Sequence, residues 1–168
     1  MTEKEELVLL LWNCGALELC EGPLPLRWND AKALAGAREP ILNALEALAK
    51  DHYAAAQAVV GDSPWAALLA ERLGLPLDPP ELPDRPLAVE AALSDGEGLL
   101  LRTAPVRESG RSIAAAVIFQ FGLESARRRL DTADVRVHWL TDLETAAAVA
   151  LQEGILEFED YDRLLELL

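Results

Sequence analysis

Few residues in this sequence have the chemistry needed for metal sites or disulfide frameworks. Its 168 residues include two cysteines, Cys14 and Cys20, which form no Cys-x-x-Cys pair and have no neighbouring cluster of histidines. A zinc site is therefore not expected, and we predict buried, reduced thiols. His52 and His138 lie far apart in the sequence and belong to no nucleophile-and-base motif, so both are predicted to be structural.

Long apolar runs and a basic leader are also missing. No apolar stretch reaches the ~18 residues of a membrane span. The first six residues, MTEKEE, are acidic where a signal peptide would be basic. We expect a cytoplasmic protein that does not bind membranes.

Basic residues are scarce, and no lysine follows Lys50. With 15 basic and 29 acidic residues, the net charge is −14. Such a charge disfavours nucleic acid, anionic membranes and polyphosphate ligands, although the simpler explanation is an acidic surface that only supports solubility. The length suits one compact domain that buries roughly 70% of its unfolded surface.

What is present is an alternation of helical and strand-like segments. Residues 113–121 form a continuous apolar run, which is typical of a strand buried on both faces. The residues at 78–86 (DPPELPDRP) include four prolines in nine residues, which predicts a linker. The pattern predicts an α/β fold with a parallel sheet flanked by helices. Helices are predicted at 7–12, 40–48, 65–73, 99–108, 124–130, 143–151 and 159–168, and strands at 56–60, 75–77, 87–90, 113–121 and 135–139.

The segment 86–98, PLAVEAALSDGEG, contains an apolar strand, an acidic residue and a glycine-containing turn that opens a helix. This order is typical of a phosphate-binding loop, in which backbone N–H groups bind the phosphate and a carboxylate binds ribose hydroxyls. Here Asp95 and Glu97 place two carboxylates where the phosphate would lie. The candidate ligand-binding residues are Glu90, Ser94, Asp95, Gly96, Glu97 and Gly98.

A second candidate anion loop is formed by Gly61, Asp62 and Ser63. Ser63 as a helix cap, followed by Pro64 in the first turn, explains this loop without a ligand. The acidic residues of the first loop have two alternative explanations as well. They would interact favourably with the helix dipole, or Asp95 and Glu97 would bind magnesium together with Glu90.

The order and spacing of these segments resemble the orotate phosphoribosyltransferases, which have the type I phosphoribosyltransferase fold. The segments that carry the resemblance are GALEL (15–19), like the end of the family's first helix, DSPWAALLAERLGLPL (62–77), like its pyrophosphate-loop helix, VEAALSDGEG (89–98), like its phosphoribosyl loop, and VRVHWLTDLE (135–144), like a C-terminal strand and turn. The resemblance implies a single domain over residues 1–168, an N-terminal helical hood at 1–40, and a homodimer.

The sequence also departs from the family's pattern at its ligand contacts. Of the acidic pair that holds ribose hydroxyls, only Glu90 remains, followed by Ala91. Residues 78–86 replace a mobile loop whose lysine and histidine cover the pyrophosphate, and Arg85 is their only cation. Gly122 stands where the family has an arginine near the orotate ring.

We therefore expect a degenerate member without catalytic residues, cofactor or metal, which acts as a binding or regulatory module. A cleft for a small nucleotide or sugar phosphate would remain near Glu90. The alternative is an active phosphoribosyltransferase that uses phosphoribosyl diphosphate with magnesium held by Glu90 and Asp95. Because proline restricts the chain, residues 78–86 are expected to be ordered and closely packed.

Overall fold

The computed structural model describes residues 1–168 as eight helices and six strands. The helices are α1 (Glu3–Asn13), α2 (Asp30–Gly36), α3 (Arg38–His52), α4 (Pro64–Leu73), α5 (Glu97–Glu108), α6 (Glu124–Thr132), α7 (Leu143–Gln152) and α8 (Phe158–Leu165). The strands are β1 (Leu17–Leu19), β2 (Leu26–Trp28), β3 (Ala58–Val60), β4 (Pro86–Leu93), β5 (Ile113–Gln120) and β6 (Val135–Asp142). None of the helices is long and apolar enough to cross a membrane.

The main sheet is parallel and has the order β3-β4-β5-β6. Helices connect its strands, so both faces are covered, as the α/β prediction required. The strand β5 lies inside the sheet, and every residue from 115 to 121 is buried. Its side chains enter two separate apolar clusters, with Ile118 in the larger and Val117 in the smaller. The prediction that the apolar run forms an internal strand is confirmed.

The N-terminal region differs from its predicted form. The helix α1 ends at Asn13, and Gly15 follows with a φ of 82°, the left-handed conformation in which glycine commonly ends a helix. Residues 17–19 then pair with residues 26–28 as an antiparallel hairpin, so only the first part of the segment 15–19 belongs to the helix end. The helix α2 was not predicted. The side chain of Asn29 accepts a hydrogen bond from the Lys32 N–H at 3.1 Å and so starts α2. The region at 1–40 is therefore a mixed hood of helices and a hairpin.

Hydrogen bonds attach this hood to α7 and to the end of β6. The indole of Trp12 donates to the carbonyl of Ala146 in α7 at 3.0 Å. The Lys4 ammonium pairs with Asp142 at 2.8 Å, at the end of β6. These contacts position the hood near the carboxyl ends of the strands.

A few hydrogen bonds attach the proline-rich segment at 78–86 to the rest of the fold. Arg111 donates to the carbonyls of Leu82 and Pro83, while most side chains of the segment are exposed. The expectation that the segment is closely packed is therefore wrong. Its hydrogen bonds are made mainly by the backbone, which leaves most of its side chains in solvent. The predicted strand at 75–77 is reduced to a single bridge between Val59 and Leu77.

The two histidines lie together despite their separation in sequence. The rings of His52 and His138 stack with centroids 4.0 Å apart. The Tyr53 hydroxyl donates to the carbonyl of Ala115 at 3.1 Å and is also bonded to His138 Nδ1. Burial lowers the pKa of His138, and the neighbouring His52 lowers it further. Burial raises the pKa of Tyr53 to about 12. Cys14 and Cys20 are free and half-buried.

Candidate functional site

Both predicted loops follow neighbouring parallel strands, so they lie at the same edge of the sheet. Residues 61–63 connect β3 to α4, and residues 94–96 connect β4 to α5. In open α/β sheets, ligands bind in crevices outside the carboxyl ends of the strands. The structure thus places the two candidate loops at the position where such a fold would bind a ligand.

Glu90 lies inside β4 and not at the strand end that was predicted. The strand continues to Leu93 because its backbone keeps pairing with β5, up to the register pair Leu93 and Gln120. The Glu90 side chain is consequently half-buried within the sheet. Burial raises its pKa, Asp62 raises it further, and Arg102 acts to lower it.

The side chain of Arg102, which the sequence analysis missed, connects β4 with the loop after β3. It pairs through Nε with Glu90 and through Nη1 with Asp62. Burial acts to lower the pKa of Arg102, but the two carboxylates raise it overall. A sequence signal for this residue was available, since Arg102 follows Leu99 by three positions and precedes Val106 by four. Both of those residues are buried, so a cation at this spacing lies next to the apolar face of α5.

The turn after β4 has the backbone of a helix start. Gly96 is the N-cap of α5, with a φ of 80° that favours glycine. The side chain of Asp95 accepts a hydrogen bond from the Glu97 N–H at 3.0 Å. This carboxylate therefore takes one of the N–H groups that a phosphate would need. The Asp95 carbonyl accepts a further bond from Arg129 at 3.3 Å.

The loop after β3 is also paired within the chain. The Gly61 N–H donates to the side chain of Asp78 at 3.2 Å. The Ser63 hydroxyl accepts from the Ala66 N–H at 3.4 Å, with Pro64 in the first turn, so Ser63 caps α4. The capping explanation proposed from sequence thus matches the observed geometry.

Aromatic side chains of the hood pack against the end of β5. The rings of Trp28 and Phe119 stack with centroids 6.3 Å apart, and Phe119 contacts Phe121 edge to face at 5.0 Å. Asp30 accepts hydrogen bonds from the indoles of Trp28 and Trp65 at 3.0 and 2.6 Å. This part of the edge is filled by the chain's own aromatic residues.

No group of three or more histidine, cysteine or acidic side chains has a geometry that could hold a metal ion. The magnesium alternative required Glu90, Asp95 and Glu97 to act together. In the structure the first of these pairs with Arg102, and the second accepts from the Glu97 N–H. The acidic residues of the site are therefore arranged as ion-pair and capping groups.

Comparison with known proteins gives a consistent group of relatives. No protein-family profile matches the sequence. The orotate phosphoribosyltransferase of Bacillus subtilis is 25% identical over 177 residues, covering 91% of this chain and 79% of that enzyme. The crystal structure of the Aeropyrum pernix orotate phosphoribosyltransferase has a TM-score of 0.74 at 24% identity, covering 88% of this chain and 99% of that one. The chain is similar in sequence and in fold to the orotate phosphoribosyltransferases.

The type I phosphoribosyltransferase fold extends to more distant structures. Leishmania donovani UMP synthase has a TM-score of 0.80 at 13% identity, covering 97% of this chain and 41% of that protein. The resemblance to the orotate phosphoribosyltransferases and the fold class predicted from sequence are thus confirmed. The ligand roles that the resemblance assigns to the two loops stay predictions.

Proposed function

We propose that this chain is an orotate phosphoribosyltransferase-like protein that has lost catalysis and acts as a binding or regulatory module. The observation that carries the proposal is the pairing of Arg102 with both Glu90 and Asp62. By resemblance, Glu90 would bind ribose hydroxyls, and Asp62 belongs to the pyrophosphate loop. In this chain the two carboxylates neutralise an internal cation instead.

The backbone donors of both loops support the same conclusion. The Gly61 N–H is used by Asp78, and the Glu97 N–H by Asp95. A carboxylate ~5 Å from a phosphate dianion repels it by several kcal/mol at an effective dielectric near 20. That repulsion is comparable with the ~8 kcal/mol binding free energy of a micromolar ligand.

The segment that replaces the mobile loop offers no cation to a departing pyrophosphate. Its only basic residue, Arg85, lines a small cavity with Ser112 and Ala114, next to the start of β5. The loop after β4 lies at the other end of that eight-residue strand, roughly 25 Å away, whereas the loop after β3 lies beside Val89, roughly 13 Å along the strand from Arg85. Leaving-group charge in phosphoribosyl transfer has to be met by nearby cations or donors, and Arg85 instead lines the cavity at the start of the strands.

The proposed module has no resident cofactor or metal and retains a cleft of nucleotide or sugar size near Glu90. It is proposed to be a homodimer, as the resemblance implies. The second candidate, an active phosphoribosyltransferase, is favoured by the similarity to the Bacillus subtilis enzyme along 91% of this chain. A single binding experiment separates the two candidates.

Calorimetric titration with phosphoribosyl diphosphate and magnesium is that experiment. We expect no micromolar binding to this chain, whereas the Bacillus subtilis enzyme serves as the positive control under the same conditions. A parallel assay would follow the consumption of orotate. Micromolar binding together with turnover would overturn the proposal and establish the active phosphoribosyltransferase.

A further inference from the structure

The parallel sheet has two edges, and the chain covers only one of them. At the β3 edge, the Val59 N–H donates to the Pro76 carbonyl at 2.9 Å, and the Val59 carbonyl accepts from the Asp78 N–H at 2.8 Å. At the other edge, β6 pairs with β5 alone, and no turn, loop or cap hydrogen bond reaches the backbone of residues 135–141. The outer side of β6 therefore presents a row of unpaired N–H and C=O groups.

The β6 edge also lacks the features that usually prevent two edges from pairing. Its sequence, VRVHWLTD, has no proline, and its register with β5 continues without a bulge from Val135 to Asp142. An open groove of about 650 Å³ begins at Trp139 and Leu140 and continues between α1 and α3. The edge is thus long, straight and accessible, which favours pairing with a strand from another molecule.

The charges of β6 are complementary to those of a second β6 strand. Arg136, near its start, is exposed and has no ion pair within the chain, and Asp142 lies at its end. A two-fold axis perpendicular to the sheet makes two such strands antiparallel and places opposite residues on the same face. When the axis passes through Trp139, Arg136 of each copy lies opposite Asp142 of the partner subunit.

Other registers fit less well. An axis at His138 places Asp134 opposite Asp142 of the partner subunit, and like charges in directly opposite positions are destabilising. Axes nearer either end of β6 pair fewer of its residues. The axis at Trp139 pairs residues 136–142 and brings together two indoles that are each 40% exposed, as a cross-strand aromatic pair.

We propose that the β6 edge joins two copies of this chain into one sheet of eight strands, with the two-fold axis at Trp139. Backbone hydrogen bonds and the indole pair hold the interface. The two pairs of Arg136 with Asp142 select the register, because charge pairs contribute more to specificity than to affinity. The two grooves then lie on the same face of the joined sheet, where their acidic side chains, among them Glu3 and Glu6, repel each other until salt screens them.

Sedimentation equilibrium at about 0.15 M sodium chloride tests the register. Arg136→Glu replaces two attractive contacts by repulsive ones, so we expect the dissociation constant of the dimer to rise at least about tenfold. Trp139→Lys places two ammonium groups against each other at the axis and should leave the chain monomeric. The matched control is Arg85→Glu, which makes the same charge change at an exposed arginine before β4 and should change the constant by less than about twofold.

Cysteine cross-linking locates the axis, because a residue on a two-fold axis meets its own copy. In a background with Cys14→Ser and Cys20→Ser, Trp139→Cys should form a disulfide-linked dimer on oxidation with diamide. Opposite residues of an antiparallel pair have Cα atoms about 4.5–5.5 Å apart, a distance that a disulfide spans. Leu101→Cys is the control, because Leu101 is 71% exposed on α5 and remote from the axis, so we expect no linked dimer.

A dimer that persists in folded Arg136→Glu and Trp139→Lys would show that another surface holds it and would overturn the proposal. Equal cross-linking at positions 139 and 101 would indicate random collision, and faster cross-linking of His138→Cys would move the axis. Either result overturns the assigned register. The proposal names the surface of the homodimer and is independent of the loss of catalysis, because none of these measurements depends on whether phosphoribosyl diphosphate binds.

Discussion

Glu90 carries a carboxyl group whose pKa is raised by burial, even with Arg102 beside it. Because its pKa in the folded state lies above the unfolded value, the folded state binds the proton more tightly. Its contribution to stability is therefore present at low pH. It is lost as the pH rises through the unfolded-state and then the folded-state pKa of Glu90. We predict that Glu90→Gln, which mimics the protonated form, is as stable as the wild type near pH 4 and more stable at pH 7.

Urea unfolding at the two pH values measures this difference. Arg102 should remain paired with Asp62 in the variant, so the contact between α5 and the loop after β3 persists. A variant less stable than the wild type at neutral pH would show that the ion pair outweighs burial.

Removing the charge of Arg102 should lower the free energy of unfolding, whereas removing the charge of Glu90 should raise it. Arg102→Met leaves the half-buried Glu90 without its partner and close to Asp62, which we expect to destabilise the fold by about 1–3 kcal/mol at pH 7. Arg128→Met is the matched control, because its pair with Glu124 is exposed and should contribute less than ~1 kcal/mol. The double variant Glu90→Gln with Arg102→Met should recover most of the loss. Urea denaturation checks all of these, and equal losses for the two arginines would contradict the internal ion network.

The residues of the site differ in how far the sequence predicts them. Asp95 and Glu97 were placed at the turn because glycine and a following helix are local signals. The partner of Glu90 was missed, since the packing of α5 on β4 decides which helix position reaches it.

The turn between β4 and α5 is a testable unit. Replacing Asp95 by Thr and Glu97 by Gly removes both carboxylates and frees the N–H that Asp95 now occupies. We predict weak, millimolar binding of phosphate or sulfate at the start of α5, which decreases as salt screens it. Glu108→Gln, at the other end of the same helix, is a control that should bind nothing. If the double variant folds yet binds no anion by calorimetry or NMR titration, the turn is not a phosphate loop.

Two glycines next to these loops should respond to alanine in opposite directions. A Cβ at Gly61 would lie 2.8 Å from the Val89 carbonyl oxygen and 2.9 Å from the Ala66 Cβ, so Gly61→Ala should destabilise by about 1–3 kcal/mol. Nothing lies within 4 Å of a Cβ at Gly98, in the first turn of α5. Gly98→Ala should therefore stabilise by up to about 1 kcal/mol. Thermal unfolding compares the stabilities of the two variants. Similar changes in stability would contradict close packing at the end of β3.

The elements that were predicted well have strong local signals. The strand β5 is a long apolar run, and α4 begins with Ser63 and Pro64, a capping pair that the structure reproduces. The elements that were missed are short. The hairpin strand β1 has three residues and α2 has seven, so each offers fewer than two full periods of burial, and both depend on contacts with the rest of the hood.

The charge of the folded chain sets a condition on the proposed homodimer. Each copy has a net charge of −14, so two copies repel each other over distances comparable with the Debye length, which is about 30 Å at 0.01 M salt and about 10 Å at 0.1 M. We predict that the dimer fraction in sedimentation equilibrium rises when sodium chloride is increased from about 0.01 M to about 0.5 M. Most of the rise should occur below about 0.15 M, where the screening length changes most.

Sucrose at matched osmolality is the control, because it does not change the screening of charges. A dimer fraction that falls with salt would mean that ion pairs between copies hold the interface, and a chain that stays monomeric throughout would remove the homodimer from the proposal.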